Sequence, residues 1–116
     1  MAITEAFQNS ATIGTSEYFL AANSTTQGSG QTTDGVYQLF LDLNAVAAGD
    51  LFTIRAYDAI SSGGTVRVIY IDNVTGPLDS PMMVTPSLIL LHKWDFSVQK
   101  ISGTDRSIAW SIRGIT

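Results

Sequence analysis

Apolar and polar residues alternate with a period of two along most of the chain, the spacing that turns one side of an extended strand toward a core and the other away from it. From Val36 to Leu43, Tyr37, Leu39, Leu41 and Leu43 share one face, while Val36, Gln38, Phe40 and Asp42 share the other. From Leu51 to Asp58, Phe52, Ile54 and Ala56 oppose Thr53, Arg55 and Tyr57, and Thr65 to Asp72 is a β-branched run through Val66, Val68, Ile69 and Ile71. Ser61-Ser62-Gly63-Gly64 lies between these two segments. Its glycine pair supplies the positive backbone dihedrals of a tight connection, so residues 51–72 are expected to form a hairpin.

Further along, Met82-Met83-Val84 and Ser87 to Lys93 are short apolar runs punctuated by Pro81 and Pro86. Proline cannot donate to a strand ladder, which places these runs at sheet edges or strand starts. Trp94, Phe96 and Val98 then alternate with Asp95, Ser97 and Gln99. After Ser102-Gly103-Thr104-Asp105, Ile108, Trp110 and Ile112 alternate with Ser107, Ala109, Ser111 and Arg113. That pair is expected to form a second hairpin. The opening third is less regular: Ala11 to Ile13 and Glu17 to Ala21 suit short strands, and Ala2 to Asn9 is either extended or, as residues 1–10, a free N-terminal arm. Gln27 to Gly35 is too polar to pack and is expected as a surface loop. Asn44 to Gly49 resembles one helical turn, capped by Asn and stopped by Gly. About seven or eight short strands with turn chemistry between them indicate an all-β fold. The expectation is a single antiparallel β-sandwich or jelly-roll domain over residues 1–116.

Composition narrows the function more than the fold. Of the 116 residues, 45% are hydrophobic and only 14% charged, with no cysteine and one histidine. The absence of Cys removes disulfides, thiolate metal sites and cysteine nucleophiles. A net charge of −4 opposes nucleic-acid binding through counterion release. All six basic residues, Arg55, Arg67, Lys93, Lys100, Arg106 and Arg113, lie in the second half of the chain, while residues 1–54 hold acids and no cation. Ser, Thr, Gln, Asn and Gly serve as polar surface in place of charge, and charge depletion is also a property of subunit interfaces. Met1 to Phe7 has neither the basic nor the apolar region of a secretory signal. The apolar stretch at Ser87 to Leu91 is far short of the roughly 20 residues needed to cross a bilayer as a helix, so no membrane association is expected.

Candidate chemistry is sparse, and the expectation is a protein that is not an enzyme, with no catalytic residue, cofactor or metal. His92 and Asp95 are three apart, an odd offset that points strand side chains to opposite faces. Asp34, Asp42, Asp50 and Asp58 recur every eight residues. They lie beside turns, without the converging oxygens of a calcium loop. Gly28-Ser29-Gly30 is followed by neither Lys-Ser nor Lys-Thr and opens no helix, so it is not a phosphate cradle. Trp94 and Trp110 suit a core, or alternatively the sugar-stacking face of a carbohydrate-binding module.

The segment Ser97 to Arg113, with its Gly103-Thr104-Asp105-Arg106 turn and Trp110-bearing strand, resembles the end of small all-β structural proteins of tailed bacteriophages. Leu41-Asp42-Leu43, Gly49-Asp50 and Gly63-Gly64-Thr65 extend that resemblance. It implies a capsid decoration or cement protein, or alternatively a neck or tail component. Such a protein is made in the host cytoplasm, resides on the virion surface, and has the major capsid protein and copies of itself as partners. The resemblance transfers no catalytic residue. Exposed loops, proline-marked edges and the N-terminal arm are the segments available for association, which makes Ile3, Phe7, Gln27, Gln31, Met82 and Met83 the candidate interface residues.

Overall fold

A computed structural model describes residues 2–115. Met1 and Thr116, which end the expected 1–116 domain, lie outside the described residues, and Met1 is also the first residue of the expected arm. The chain forms nine strands: β1 (Ile3–Ile13), β2 (Tyr18–Phe19), β3 (Gly35–Asp42), β4 (Leu51–Ala59), β5 (Val66–Thr75), β6 (Met82–Val84), β7 (Leu88–Leu90), β8 (Asp95–Ser102) and β9 (Arg106–Ile115). They make two antiparallel sheets. Sheet A runs β1-β9-β3-β6 with β7 also on β3, and sheet B runs β2-β8-β4-β5.

The pairing decides between the two expected architectures. β4 pairs with β5, β3 with β6 and β7, β2 with β8, and β1 with β9, so each pair encloses the one before it around the turn at residues 60–65. A nested hairpin that folds over into two facing sheets is a jelly roll. β6 and β7 follow one another along β3 with Pro86 between them and together fill one strand position. Period-two alternation meets its purpose between the sheets, where Leu39, Leu41, Phe52, Ile54, Phe96, Val98, Ile108 and Ile112 are fully buried. Each such side chain gains roughly 1.5–3 kcal/mol from leaving water.

Three expectations need correction. Residues 95–115 form no hairpin: β8 pairs with β2 and β4 in sheet B, and β9 with β1 and β3 in sheet A. Alternation turns the same side chains inward whether two strands pair or face each other across the core, so pattern alone cannot distinguish a hairpin from a crossing. The N-terminal segment is not a free arm, since β1 pairs with β9 over its whole length with a bulge between Glu5 and Phe7. This is the extended alternative. Asn44 to Gly49 is no helix but a pair of turns, closed by Val46 N–H to Leu43 O and Asp50 N–H to Ala47 O.

Buried aspartates hold the places where the chain passes between sheets. Asp50 accepts the Ala47 and Thr104 amides at 2.8 and 2.9 Å and Arg106 Nε at 2.7 Å, joining the β3–β4 loop to the β8–β9 loop. Arg106 chiefly, then the two amides, hold its carboxyl well below the usual range. Asp58 accepts the amides of Leu91, His92 and Lys93 at 2.9–3.0 Å. Burial pushes its pKa up, but these amides and that of Ala59 outweigh it and leave it lowered. Asp95 accepts the Ala21, Ala22 and Phe96 amides, yet burial dominates and raises its pKa.

Asp50 and Asp58 therefore add stability that is present above the unfolded carboxylate value of about 3.9 and is lost as pH falls through their lower folded values. Asp95 acts oppositely, costing stability as pH rises through the window above that value. Asp58→Asn is expected to cost about 2–4 kcal/mol, because several loop amides lose an ionised acceptor at once. Asp50→Asn is expected to lower the melting temperature at neutral pH and flatten its decline in acid. Thermal melts from neutral to acid pH check both, and an unchanged acid decline in Asp50→Asn would contradict its assigned role.

Candidate interaction surface

Residues opposite each other in an antiparallel sheet project to the same face, so the register of sheet A assembles its outer surface. Ile3 lies opposite Ile115, Ile115 opposite Val36, and Val36 opposite Ile89, which gives one aliphatic row across β1, β9, β3 and β7. Ile3 is 72% exposed and Ile89 83%, although both belong to regular strands. The next row holds Glu5, Arg113 and Gln38, and the following one Gln8, Ser111, Phe40 and Val84. Isolated exposed aliphatics are ordinary, but a contiguous row on a sheet face is a candidate interaction surface.

Polar groups fix this surface in shape. Arg113 stacks its guanidinium 4.0 Å from the centroid of Phe40 and donates from Nε to Ser111 Oγ at 3.1 Å, while Ser111 donates its hydroxyl proton to Glu5. The stacked cation is worth roughly 0.5–1 kcal/mol at an exposed site. Two shallow hollows adjoin it. One of about 140 Å3 is bordered by Ile3, Phe40, Arg113 and Ile115, and one of about 210 Å3 by Glu5, Phe40, Met82 and Arg113. They are dents in a firm surface, suited to knobs from a partner and too small for a drug-sized ligand.

Only two of the expected interface residues share an exposed face, and they stand three rows apart along β3. Ile3 and Met82, the latter 59% exposed, belong to the outer face of sheet A. Phe7 turns inward, opposite the buried Ile112, and its ring stands edge-on to Trp94 at 6.1 Å. The bulge after Glu5 reverses the face that Phe7 would otherwise take. Met83 packs on the core, so of the two methionines Met82 alone faces outward. Gln27 is half-buried, and Gln31 is tied by its backbone to Trp94 in both directions, at 2.7 and 2.9 Å. Ile89, Ile115 and Val36 were not anticipated. The alternation puts Val36 on the face of Phe40, but alignment with Ile115 and Ile89 requires the register between strands distant in sequence.

The outer face of sheet B differs in chemistry. Glu17 accepts from Tyr57 Oη at 2.5 Å and from Ser97 Oγ, with Arg55 Nη1 at 3.4 Å. Arg55 also donates to Gln99, whose amide donates to Thr15 O at 2.9 Å. This lacing straps residues 15–17 across the sheet. Burial, reinforced by the bond to Glu17, pushes the Tyr57 phenol up to about 12, so it stays a proton donor in the strap.

The remaining candidates fall into structural places. Asp42, Asp50 and Asp58 accept backbone amides near strand ends, as turn residues do. Among the described residues no three His, Asp or Glu side chains gather as metal ligands. Trp94 is fully buried and donates from Nε1 to Thr33 O at 2.9 Å, and Trp110 is 4% exposed with Tyr18 against it at 5.6 Å. Neither indole presents a face on which a sugar could stack. Set beside known proteins, the chain matches no family model, no curated protein and no solved structure.

Buried indoles predict blue-shifted tryptophan emission, poorly quenched by iodide and unmoved by a panel of glycans. Red-shifted, readily quenched emission, or a shift with sugar, would return Trp94 or Trp110 to the surface.

Proposed function

We propose that this chain is a non-enzymatic virion structural protein, a capsid decoration or cement protein that binds the outer shell of a tailed bacteriophage and stabilises it through subunit contacts. The observation that carries the reading is the aliphatic row on the outer face of sheet A, with Ile3, Ile115 and Ile89 exposed and Val36 half-buried among them. A shell-binding protein needs rigid, charge-poor surface and no cofactor. The row supplies apolar contact area, and Glu5 with Arg113 beside it supplies directional polar contacts. Jelly rolls serve as capsid domains among other roles, which is support by fold analogy. The phage-like Gly103-Thr104-Asp105-Arg106 turn and Trp110 strand point the same way. Its partners on this reading are the major capsid protein and further copies of itself, with neither nucleic acid nor membrane involved. Its location is the capsid surface.

Co-sedimentation with empty capsid shells tests it. The wild-type protein is expected to pellet saturably with shells. Ile89→Asp, at a side chain the core does not use, is expected to weaken pelleting about tenfold or more, the usual effect of losing an apolar interface anchor. A wild-type protein that stays in the supernatant with shells, or an Ile89→Asp protein that pellets equally well, would overturn the proposal. Pelleting with isolated necks or tails and not with shells would move the protein to that part of the virion.

A further inference from the structure

Four strand edges are open to a neighbour, and they differ. β2 is two residues long, and β6 and β7 are three each with Pro86 between them, too short or too interrupted to template another chain. β1 is eleven residues but mostly polar, with Glu5 as its only charge. β5 is ten residues, bonded on one side to β4 alone and free of proline, and the charges that would guard its edge are an opposite pair, Arg67 and Asp72. Val68, Ile69 and Ile71 along it are 46%, 47% and 56% exposed.

A bulge sets the chemistry of this edge. β4 aligns Tyr57 with Val68 and Ala56 with Tyr70, which leaves Ile69 as the extra residue and resets the alternation there. Arg67 lies opposite Asp58, and Asp72 opposite Ile54, so the two share one face of the sheet although they are an odd five positions apart. In a regular strand they would point to opposite faces. Neither has an ionic partner. Arg55, Arg106 and Lys100 pair with acids, Lys93 donates to Gly64 O, and Arg113 stacks on Phe40, which leaves Arg67 as the one unengaged cation among the described residues. Asp72 accepts from its neighbour Asn73 and, at 3.5 Å, from Tyr70.

We infer that two copies of this chain associate through their β5 edges, antiparallel about a two-fold axis between Ile69 and Tyr70, so that Arg67 of each copy faces Asp72 of the other. This register puts Val68 opposite Ile71 and joins the two four-stranded B sheets into one continuous sheet. The bulge makes it feasible, since the same reset that turns Arg67 and Asp72 to one face turns their outward backbone groups toward the same edge. The interface is isologous, so each charge pair and each apolar pair occurs twice. The inference specifies the self-association part of the proposed function and does not depend on its shell-binding part.

Sedimentation of the full chain over a concentration series is expected to show a dimer for the wild-type protein. Arg67→Glu and Asp72→Lys, each of which places like charges opposite one another twice, are each expected to weaken the dimer about tenfold to a hundredfold. Mixed in equal amounts, the two variants are expected to dimerise with each other, because the introduced acid meets the introduced base and the unmodified Asp72 meets the unmodified Arg67. Should Asp72→Lys fail to fold by circular dichroism, Val68→Lys at an exposed position replaces it, with a monomer expected. A monomeric wild type at every concentration, variants that dimerise as tightly as wild type, or a mixture no tighter than its components would overturn the inference. The two proposals fail separately. A dimer that ignores shells supports this inference while overturning shell binding, and a wild-type monomer that pellets with shells overturns this inference alone.

Discussion

Carboxylates bonded to backbone amides hold the loops by which this chain passes from one sheet to the other, and the two-layer structure depends on them. A jelly roll crosses repeatedly between its layers, and every crossing brings amides to the ends of the sandwich without a ladder partner. Asp50 takes amides from the β3–β4 and β8–β9 crossings, Asp58 from the β7–β8 crossing, and Asp95 from the β2–β3 crossing. Gly103 belongs to the same device. Its φ is +94°, and a Cβ there would lie 2.2 Å from Asp50 Oδ1, so the loop can close on the carboxylate only with glycine. A buried acceptor of this kind is worth more than its hydrogen bonds alone, because removing it strands several donors together.

With the ends fixed, the apolar residues divide into those between the sheets and those left outside. On the outer face of sheet B a polar strap around Glu17 covers β4 and β8 and leaves Val68 and Ile71 of β5 exposed, whereas the outer face of sheet A keeps its aliphatic row uncovered. Ile89 belongs to both the row and the region beside the β4–β5 hairpin, where a hollow of about 430 Å3 also touches Ile60, Val68 and Ile69. The surface proposed to meet a shell thus continues toward the edge proposed to meet a second copy. With a broad contact on one side and a symmetric contact at one edge, the protein would sit on a shell as closed two-fold pairs.

Much of the fold was legible from local pattern, and what was not depended on distant pairing. Alternation in 36–43 and 51–58 identified the core faces of β3 and β4, and Gly63-Gly64 marked the one hairpin among the described residues, although neither glycine takes the positive φ expected of it. The β8 and β9 segments were equally legible as strands, but their partners, β2 and β4 for one and β1 and β3 for the other, are distant in sequence and are not specified by the turn between them. Phe7 misled because the bulge that turns it inward has no signature in Glu5-Ala6-Phe7. The aliphatic row escaped for a related reason: neighbours in it are roughly fifty to more than a hundred residues apart in sequence, and only register unites them. Trp94 was better placed, its burial following from the alternation that made it a core candidate.

Electron cryomicroscopy of shells decorated with the protein tests the central claim most directly, since it shows which surface meets the lattice. The account predicts the outer face of sheet A against the shell, with Ile3, Ile115 and Ile89 at the contact and the Glu17 strap turned to solvent. Density that seats the outer face of sheet B on the shell, leaving the aliphatic row in water, would contradict it.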